Sequence, residues 1–297
     1  MSDKTKISWA DATWNPVTGC TPVSAGCEHC YAARMVRRFP QVHGPYGIIG
    51  GCDYFSNIHI HPDRLEIPLH WKHPRRIFVC SMGDLFHKRV EESFISAVFY
   101  IIQRCQQHTF MILTKRPDRM LEFLDKWTHC DHAHPDYAVG LGAGCDSGRP
   151  YGYGHYRVQN KQRPPLSNLW LGVTAENQEM VDKRVSILLQ IPAAKRFVSV
   201  EPMLGPVILQ ENWTLISDHD QRTYLESPGS RCLSWVICGP ETGSGARPMN
   251  LDWARSLRDQ CVAAGVPFFY KRGKLDGKLW HQFPVSELTF SGNDTIL

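Results

Sequence analysis

The chain has 297 residues, 42% of them hydrophobic, and a formal net charge of +4 from 33 basic and 29 acidic side chains. This length suits one α/β domain with insertions or two small domains, and so small a charge excess neither demands nor rules out a nucleic-acid partner. No apolar run approaches the ~20 residues of a membrane-spanning helix, and the start, MSDKTKISWADATW, lacks the apolar centre of a secretory signal, so a cytoplasmic protein without membrane contact is expected.

Seven short segments rich in β-branched and aromatic residues read as strands, most of them followed by a turn and a helical period. The first covers 7–14 and leads into a cysteine-bearing loop and the helix-like YAARMVRRF. RIFVCS at 76–81 is followed by an amphipathic run over 91–107, and TFMILT at 109–114 by a helix over 117–127. LWLGVT at 169–174 precedes ENQEMVDKRVSILLQ, in which Met180, Val181, Val185, Leu188 and Leu189 share a helical face. A fifth strand covers 196–200, LSWVIC at 233–238 leads to a helix over 251–264, and PFFY at 267–270 is the seventh.

Alternating strands and helices predict a parallel sheet, and continuously apolar strands predict cover on both faces, as in a barrel or a doubly wound sheet. Ligands in such folds sit at the carboxyl ends of the strands. The residues expected there are Ser81, Gly83 and Asp84; Thr114, Lys115 and Arg116; Thr174, Glu176 and Asn177; Glu201; and Gly239 and Glu241. Three irregular stretches, about 44–67, 128–166 and 211–231, break the rhythm and are expected to be lids, binding loops or disordered insertions.

The segment TGCTPVSAGCEHCYAARM places Cys20, Cys27 and Cys30 within eleven residues, beside Gly19, Pro22 and Gly26 and just before a helix. Thiolates on a short glycine-bearing loop are ligands for an iron-sulfur cluster or for zinc. Three cysteines on a 4Fe-4S cluster leave one iron open to a cofactor, whereas a zinc site needs a further donor such as His29 or His43.

Cys27-Glu28-His29-Cys30-Tyr31 resembles the cluster loop of radical S-adenosylmethionine (SAM) enzymes, in which an aromatic residue follows the third cysteine. Six residues separate Cys20 from Cys27, where that superfamily usually has three. A phage- and bacterium-associated family of uncertain function, grouped with radical SAM proteins, carries the same displaced triad. The chain resembles it through WNPVTGC, VSAGCEHCYA, PLHWKHPRRIFVCSMGDLFH, ILTKRPDRM, LWLGVTAEN, RFVSVEPMLGP, WVICGPETGSGARPM and PFFYKRG.

The resemblance implies a partial (β/α)6 barrel of radical SAM type over residues 1–273, with the three irregular insertions and a C-terminal extension over 274–297. It also implies a 4Fe-4S cluster on Cys20, Cys27 and Cys30, with SAM chelating the open iron. Asp84, helped by Ser81, is expected at the SAM ammonium; Lys115 or Arg116 at its carboxylate; and the Tyr31 backbone at adenine. Thr174 and Glu201 complete the expected cofactor set, and Glu176, Asn177, Glu241 and Arg247 the substrate pocket. Each has a plainer role to weigh against this, such as Asp84 capping the next helix.

The expected chemistry is hydrogen abstraction from a small molecule or nucleobase, driven by an external one-electron reductant. Phage DNA hypermodification and photoproduct-lyase-like repair both fit. A base in duplex DNA would have to be extruded, with Arg34, Arg37, Arg38, Arg75, Arg76, Lys88 and Arg89 as a basic surface. Two other readings stay open: a zinc-stabilised nucleic-acid-binding module without catalysis, and an iron-sulfur protein that does not use SAM. His129, Cys130, His132, His134 and Cys145 form a weaker metal-like group, and TGSGAR a weak phosphate-binding turn. Cys80, Cys105, Cys232, Cys238 and Cys261 fall in apolar segments and are expected to act as small hydrophobes.

Overall fold

The structure is a computed structural model and describes residues 5–39, 54–129, 165–214 and 232–284. In chain order it contains β1 (Ala12–Trp14), β2 (Val17–Thr18), α1 (Tyr31–Arg38), β3 (His59–Ile60), β4 (Arg76–Val79), α2 (Glu92–Arg104), β5 (Thr109–Thr114) and α3 (Pro117–His129). There follow β6 (Leu169–Thr174), α4 (Gln178–Leu188), β7 (Lys195–Val200), α5 (Glu211–Thr214), β8 (Trp235–Cys238), α6 (Leu251–Ala263), β9 (Phe268–Leu275) and β10 (Lys278–His281).

Eight strands form one sheet in the order β1-β4-β5-β6-β7-β8-β9-β10. Every pair from β1 to β9 is parallel, and β10 returns antiparallel along β9. The alternation of apolar strands and amphipathic helices thus produces the mostly parallel α/β sheet that the sequence predicts. Strands form at all seven expected places, with shifted ends: β1 covers only Ala12–Trp14 of the expected 7–14, and β8 starts at Trp235. β9 runs through Leu275 and the chain turns back at Asp276 and Gly277, both with positive φ.

Side-chain alternation sends each strand's residues to two cores. Phe110 and Ile112 of β5, Val198 and Val200 of β7, and Val236 of β8 pack with Val98 and Ile102 of α2, Leu124 of α3 and Leu257 of α6. Met111, Trp170, Phe197, Trp235 and Phe269 face the other way and join Trp9 in a mostly aromatic cluster. Trp235 sits at its centre, with ring centroids of Trp9, Trp170, Phe197 and Phe269 at 6.2, 6.0, 5.6 and 5.9 Å.

β2 and β3 form a small antiparallel pair beside the sheet, which the sequence reading missed because each strand has only two residues. The described part of the 44–67 stretch, from 54 on, consists of this strand and short 3-10 turns. Most of the 128–166 and 211–231 stretches, and with them Cys130, His132, His134 and Cys145, lie outside the described residues.

Candidate cofactor site

The cysteine loop leaves β1 at the carboxyl edge of the sheet and is stitched to the end of β4. Asn15 Oδ1 accepts from Ser81 Oγ (3.1 Å) and the Met82 amide (3.0 Å), and the Gly19 amide donates to Met82 O (2.9 Å). A Cβ on Gly83 would stand 3.0 Å from the carbonyl oxygens of both Gly19 and Val17, so only glycine allows the two backbones to approach this closely. Cys20 is tied by its amide to Phe55 O (2.8 Å), and its side chain packs with that of Cys30 against Ala32, Val36, Phe55 and Met82.

Three ionic clamps then hold the loop over the strand ends. The first comes from β4 and β5. Asp84 is buried, its Oδ1 accepting from Thr114 Oγ1 (2.8 Å) and the Phe86 amide (3.0 Å), its Oδ2 from Arg116 Nη1 (2.8 Å). The same Nη1 lies 3.3 Å from Cys20 Sγ, and Nη2 donates to Thr21 O (2.8 Å) and Thr21 Oγ1 (3.2 Å). His87, wholly buried, meets Thr21 Oγ1 through Nε2 at 2.9 Å. Its Nδ1 accepts from the Arg89 amide (3.2 Å), which leaves the proton on Nε2. Burial and the Arg116 charge pull His87 down to about 4, so the ring is neutral near pH 7.

The second clamp comes from β6 and α4. Glu176 is fully buried; its Oε1 accepts from the Gly26 amide (3.2 Å) and its Oε2 from Arg184 Nη1 (3.0 Å), which also donates to Thr174 O (2.6 Å). Burial opposes ionisation of this carboxyl, and hydrogen bonding with the Arg184 charge outweighs it, leaving Glu176 below the ordinary carboxylate range. Asn177 caps α4, its Oδ1 accepting from the Met180 amide at 3.0 Å.

The third clamp comes from the loop after β8. Glu241 Oε2 accepts from His29 Nδ1 (2.8 Å), the Arg247 amide (2.8 Å) and Arg247 Nε (3.0 Å), and its Oε1 from Arg247 Nη2 (2.6 Å). Arg247 also reaches the cysteine loop itself, at Glu28 Oε2 (2.8 Å) and Ala25 O (2.9 Å). Arg34 of α1 returns the contact by donating to the carbonyls of Thr242 and Ser244. The Arg247 hydrogen bonds hold the Glu241 carboxyl down at about 2.

Several of the expected site residues bear on the cysteine loop, and many of them face one another. Asp84, Arg116, Glu176, Glu241 and Arg247 are partners within the clamps, and Asn177 is a helix cap. Ser81 and Thr174 stand at the strand ends, Thr174 buried beneath Arg184. Tyr31 opens α1 with its ring exposed, and Glu201 at the end of β7 is paired with Lys271 of β9, whose Nζ is 2.6 and 2.7 Å from the two carboxylate oxygens. Lys115 directs its amide to Asp84 Oδ2 (3.4 Å), and its positive charge helps to keep Glu176 ionised.

Thr21, His87, Arg184 and Lys271 are the participants that sequence reasoning missed. His87 follows Asp84 by three residues, Arg184 follows Glu176 by eight, and Lys271 is the first charged residue after the apolar PFFY. Those offsets are the only signals in the sequence, and none distinguishes these residues from ordinary surface charges.

Cys20, Cys27 and Cys30 are free and partly accessible, whereas Cys80, Cys105, Cys232, Cys238 and Cys261 are free and buried. Burial and the Asp84 charge push the Cys20 thiol up to about 11 against the pull of Arg116, and Cys27 is near enough to add to the rise. Three soft donors on one braced loop suit a thiolate-ligated cluster. Among the described residues no group of three or more His, Cys, Asp or Glu side chains is gathered for a single metal ion. Nor is any described helix long and apolar enough to cross a membrane.

No curated protein matches the sequence significantly. Among solved structures, a spore photoproduct lyase complexed with dinucleoside spore photoproduct aligns at a TM-score of 0.37 and 11% identity, over 87% of this chain. The chain spans 62% of that protein's length. Residues 4–284 match a family described as protein of unknown function, DUF5131, and the chain belongs to that family.

Proposed function

We propose that the chain holds a 4Fe-4S cluster on Cys20, Cys27 and Cys30 and uses it to cleave SAM reductively, as a radical enzyme acting on a small molecule or nucleobase. The observation that carries this reading is the placement of three free, partly accessible thiols on one loop clamped from three directions over the carboxyl ends of a parallel sheet. A 4Fe-4S cluster held by Cys20, Cys27 and Cys30 would supply one-electron reductive cleavage of SAM, with the electron drawn from an external reductant, and through it hydrogen-atom abstraction from the substrate.

The protein's own part is to bind, orient and shield. The clamps brace the loop that carries the three sulfurs, so ligation need not order it. We assign the SAM carboxylate to Lys115, whose ammonium has no hydrogen-bond partner among the described residues, because the donors of Arg116 already meet Asp84, Thr21 and Cys20. Ser81 and Asp84 line the ammonium end in this reading, Tyr31 the adenine, and Thr174 and Glu201 the rest of the cofactor wall.

A partial barrel agrees with this assignment. Trp9, just ahead of β1, lies 6.2 Å from Trp235 of β8, although five strand intervals of about 4.8 Å separate the two strands in the sheet order. Curling of the sheet is the simplest way to bring them together. A zinc module would need a further donor such as His29 or His43 to join the cysteines at about 2.0–2.3 Å from one point, and His43 lies outside the described residues. A four-iron cluster is larger than an ion and lets its ligands stand apart.

The test is anaerobic purification with iron and sulfide analysis, followed by a reductant-dependent assay for 5'-deoxyadenosine. Iron, sulfide and product are expected, with product lost in Cys27→Ala. Zinc or no metal at the triplet overturns the proposal.

A further inference from the structure

Arg116 is a charged group in direct contact with the cysteine triplet. Its Nη1 serves two acceptors at once, Asp84 Oδ2 at 2.8 Å and Cys20 Sγ at 3.3 Å, while Nη2 is held by Thr21 O and Thr21 Oγ1 at 2.8 and 3.2 Å. The guanidinium and the carboxylate are both largely shielded, with side-chain exposures of 13% and 6%. The neutral His87 fixes Thr21 from its far side. Such a network keeps the cation against one sulfur at a constant distance.

Building on the function proposed above, we infer that Arg116 sets the reduction potential of the cluster through its hydrogen bond to the ligand sulfur of Cys20, with Asp84 as the opposing charge. Reduction adds an electron to the cluster and its thiolates. A cation and a donor at the sulfur favour the reduced form, and a nearby carboxylate disfavours it, with both effects strengthened where water is excluded. Arg116 is thus a positioning and tuning residue, which leaves Lys115 for the cofactor.

The pair predicts shifts of opposite sign. In a potentiometric titration followed by electron paramagnetic resonance, carried out without SAM so that cofactor binding does not enter, Arg116→Gln is expected to lower the ratio of reduced to oxidised cluster at a fixed potential about tenfold. For a one-electron couple that corresponds to about 59 mV towards the negative. Asp84→Asn, similar in size and still able to accept hydrogen bonds, should raise the reduced fraction. Thr21→Val, which removes an anchor without changing charge, should leave the potential within a small fraction of either shift.

Loss of packing alone would produce no such ordering of signs. If Arg116→Gln fails to hold iron, Asp84→Asn decides the question: a positive shift supports the inference and an unchanged potential overturns it. Full iron with wild-type potentials in both charge variants sinks this inference and leaves the radical assignment standing. A wild-type protein free of iron sinks the radical assignment first.

Discussion

Gly26 and Glu176 are 150 residues apart in sequence and meet at 3.2 Å, the Gly26 amide donating to Glu176 Oε1. A Cβ on Gly26 would lie 3.0 Å from both Cδ and Oε2 of this carboxylate. Arg184 stands against the carboxylate and limits its retreat. Gly26→Ala is therefore expected to cost roughly 1–3 kcal/mol, as overpacking does, and to weaken iron retention in the anaerobic preparation. A thermal unfolding midpoint and iron content both equal to wild type would show that the loop yields freely.

Arg184 and Glu176 form a buried pair with side-chain exposures of 4% and 0%. Arg184→Met leaves the carboxylate without its cation and should destabilise the fold by about 3–5 kcal/mol. Adding Glu176→Gln removes the stranded charge and should restore part of that loss. Denaturant titration of the wild type and the two variants measures this, and a double variant no more stable than Arg184→Met would remove the charge from the explanation.

Acid stability should fall in two separable windows. His87 titrates at about 4 in the fold instead of 6.5, so as pH falls through 6.5 the unfolded chain takes a proton that the folded chain refuses. Stability is complete above that value and declines until about pH 4, with a slope of at most about 1.4 kcal/mol per pH unit. Glu241 titrates at about 2 instead of 4.5, so its contribution is present above 4.5 and is lost as pH falls towards 2. His87→Gln should flatten the upper window and Glu241→Gln the lower one in unfolding curves collected from pH 7 to pH 2.

Alkylation of the native metal-free protein should separate the cysteines by position. Cys27 and Cys30 are expected to react first and Cys20 more slowly, since its thiol is held at about 11. Cys80, Cys238 and Cys261 are buried, and burial raises their thiols well above the ordinary range, so they should stay unlabelled until the fold opens. Peptide mass spectrometry after timed iodoacetamide treatment gives the order; early labelling of Cys238 would contradict the packing behind β8.

The sequence by itself determined the elements and their class. Apolar patterning is local: in the continuous runs over 109–114 and 169–174 the short length and the β-branched and aromatic content point to buried strands, and a 3.6-residue period marks the helices that follow them. Ligand chemistry was equally local in the cysteine triplet, where spacing, glycines and the following helix fall within one stretch.

Only the tertiary structure decided which charges meet. Asp84 and Arg116 were legible as strand-end residues, but their bond to each other and to Cys20 depends on β4, β5 and the loop after β1 lying side by side. Glu201 paired with Lys271, while Arg247 joined Glu241, a choice that charge alone could not make. A carboxylate's partner is set by three-dimensional distance and by exclusion of water. Neither is encoded in the neighbouring residues, so the clamps became visible only when the strand ends came together.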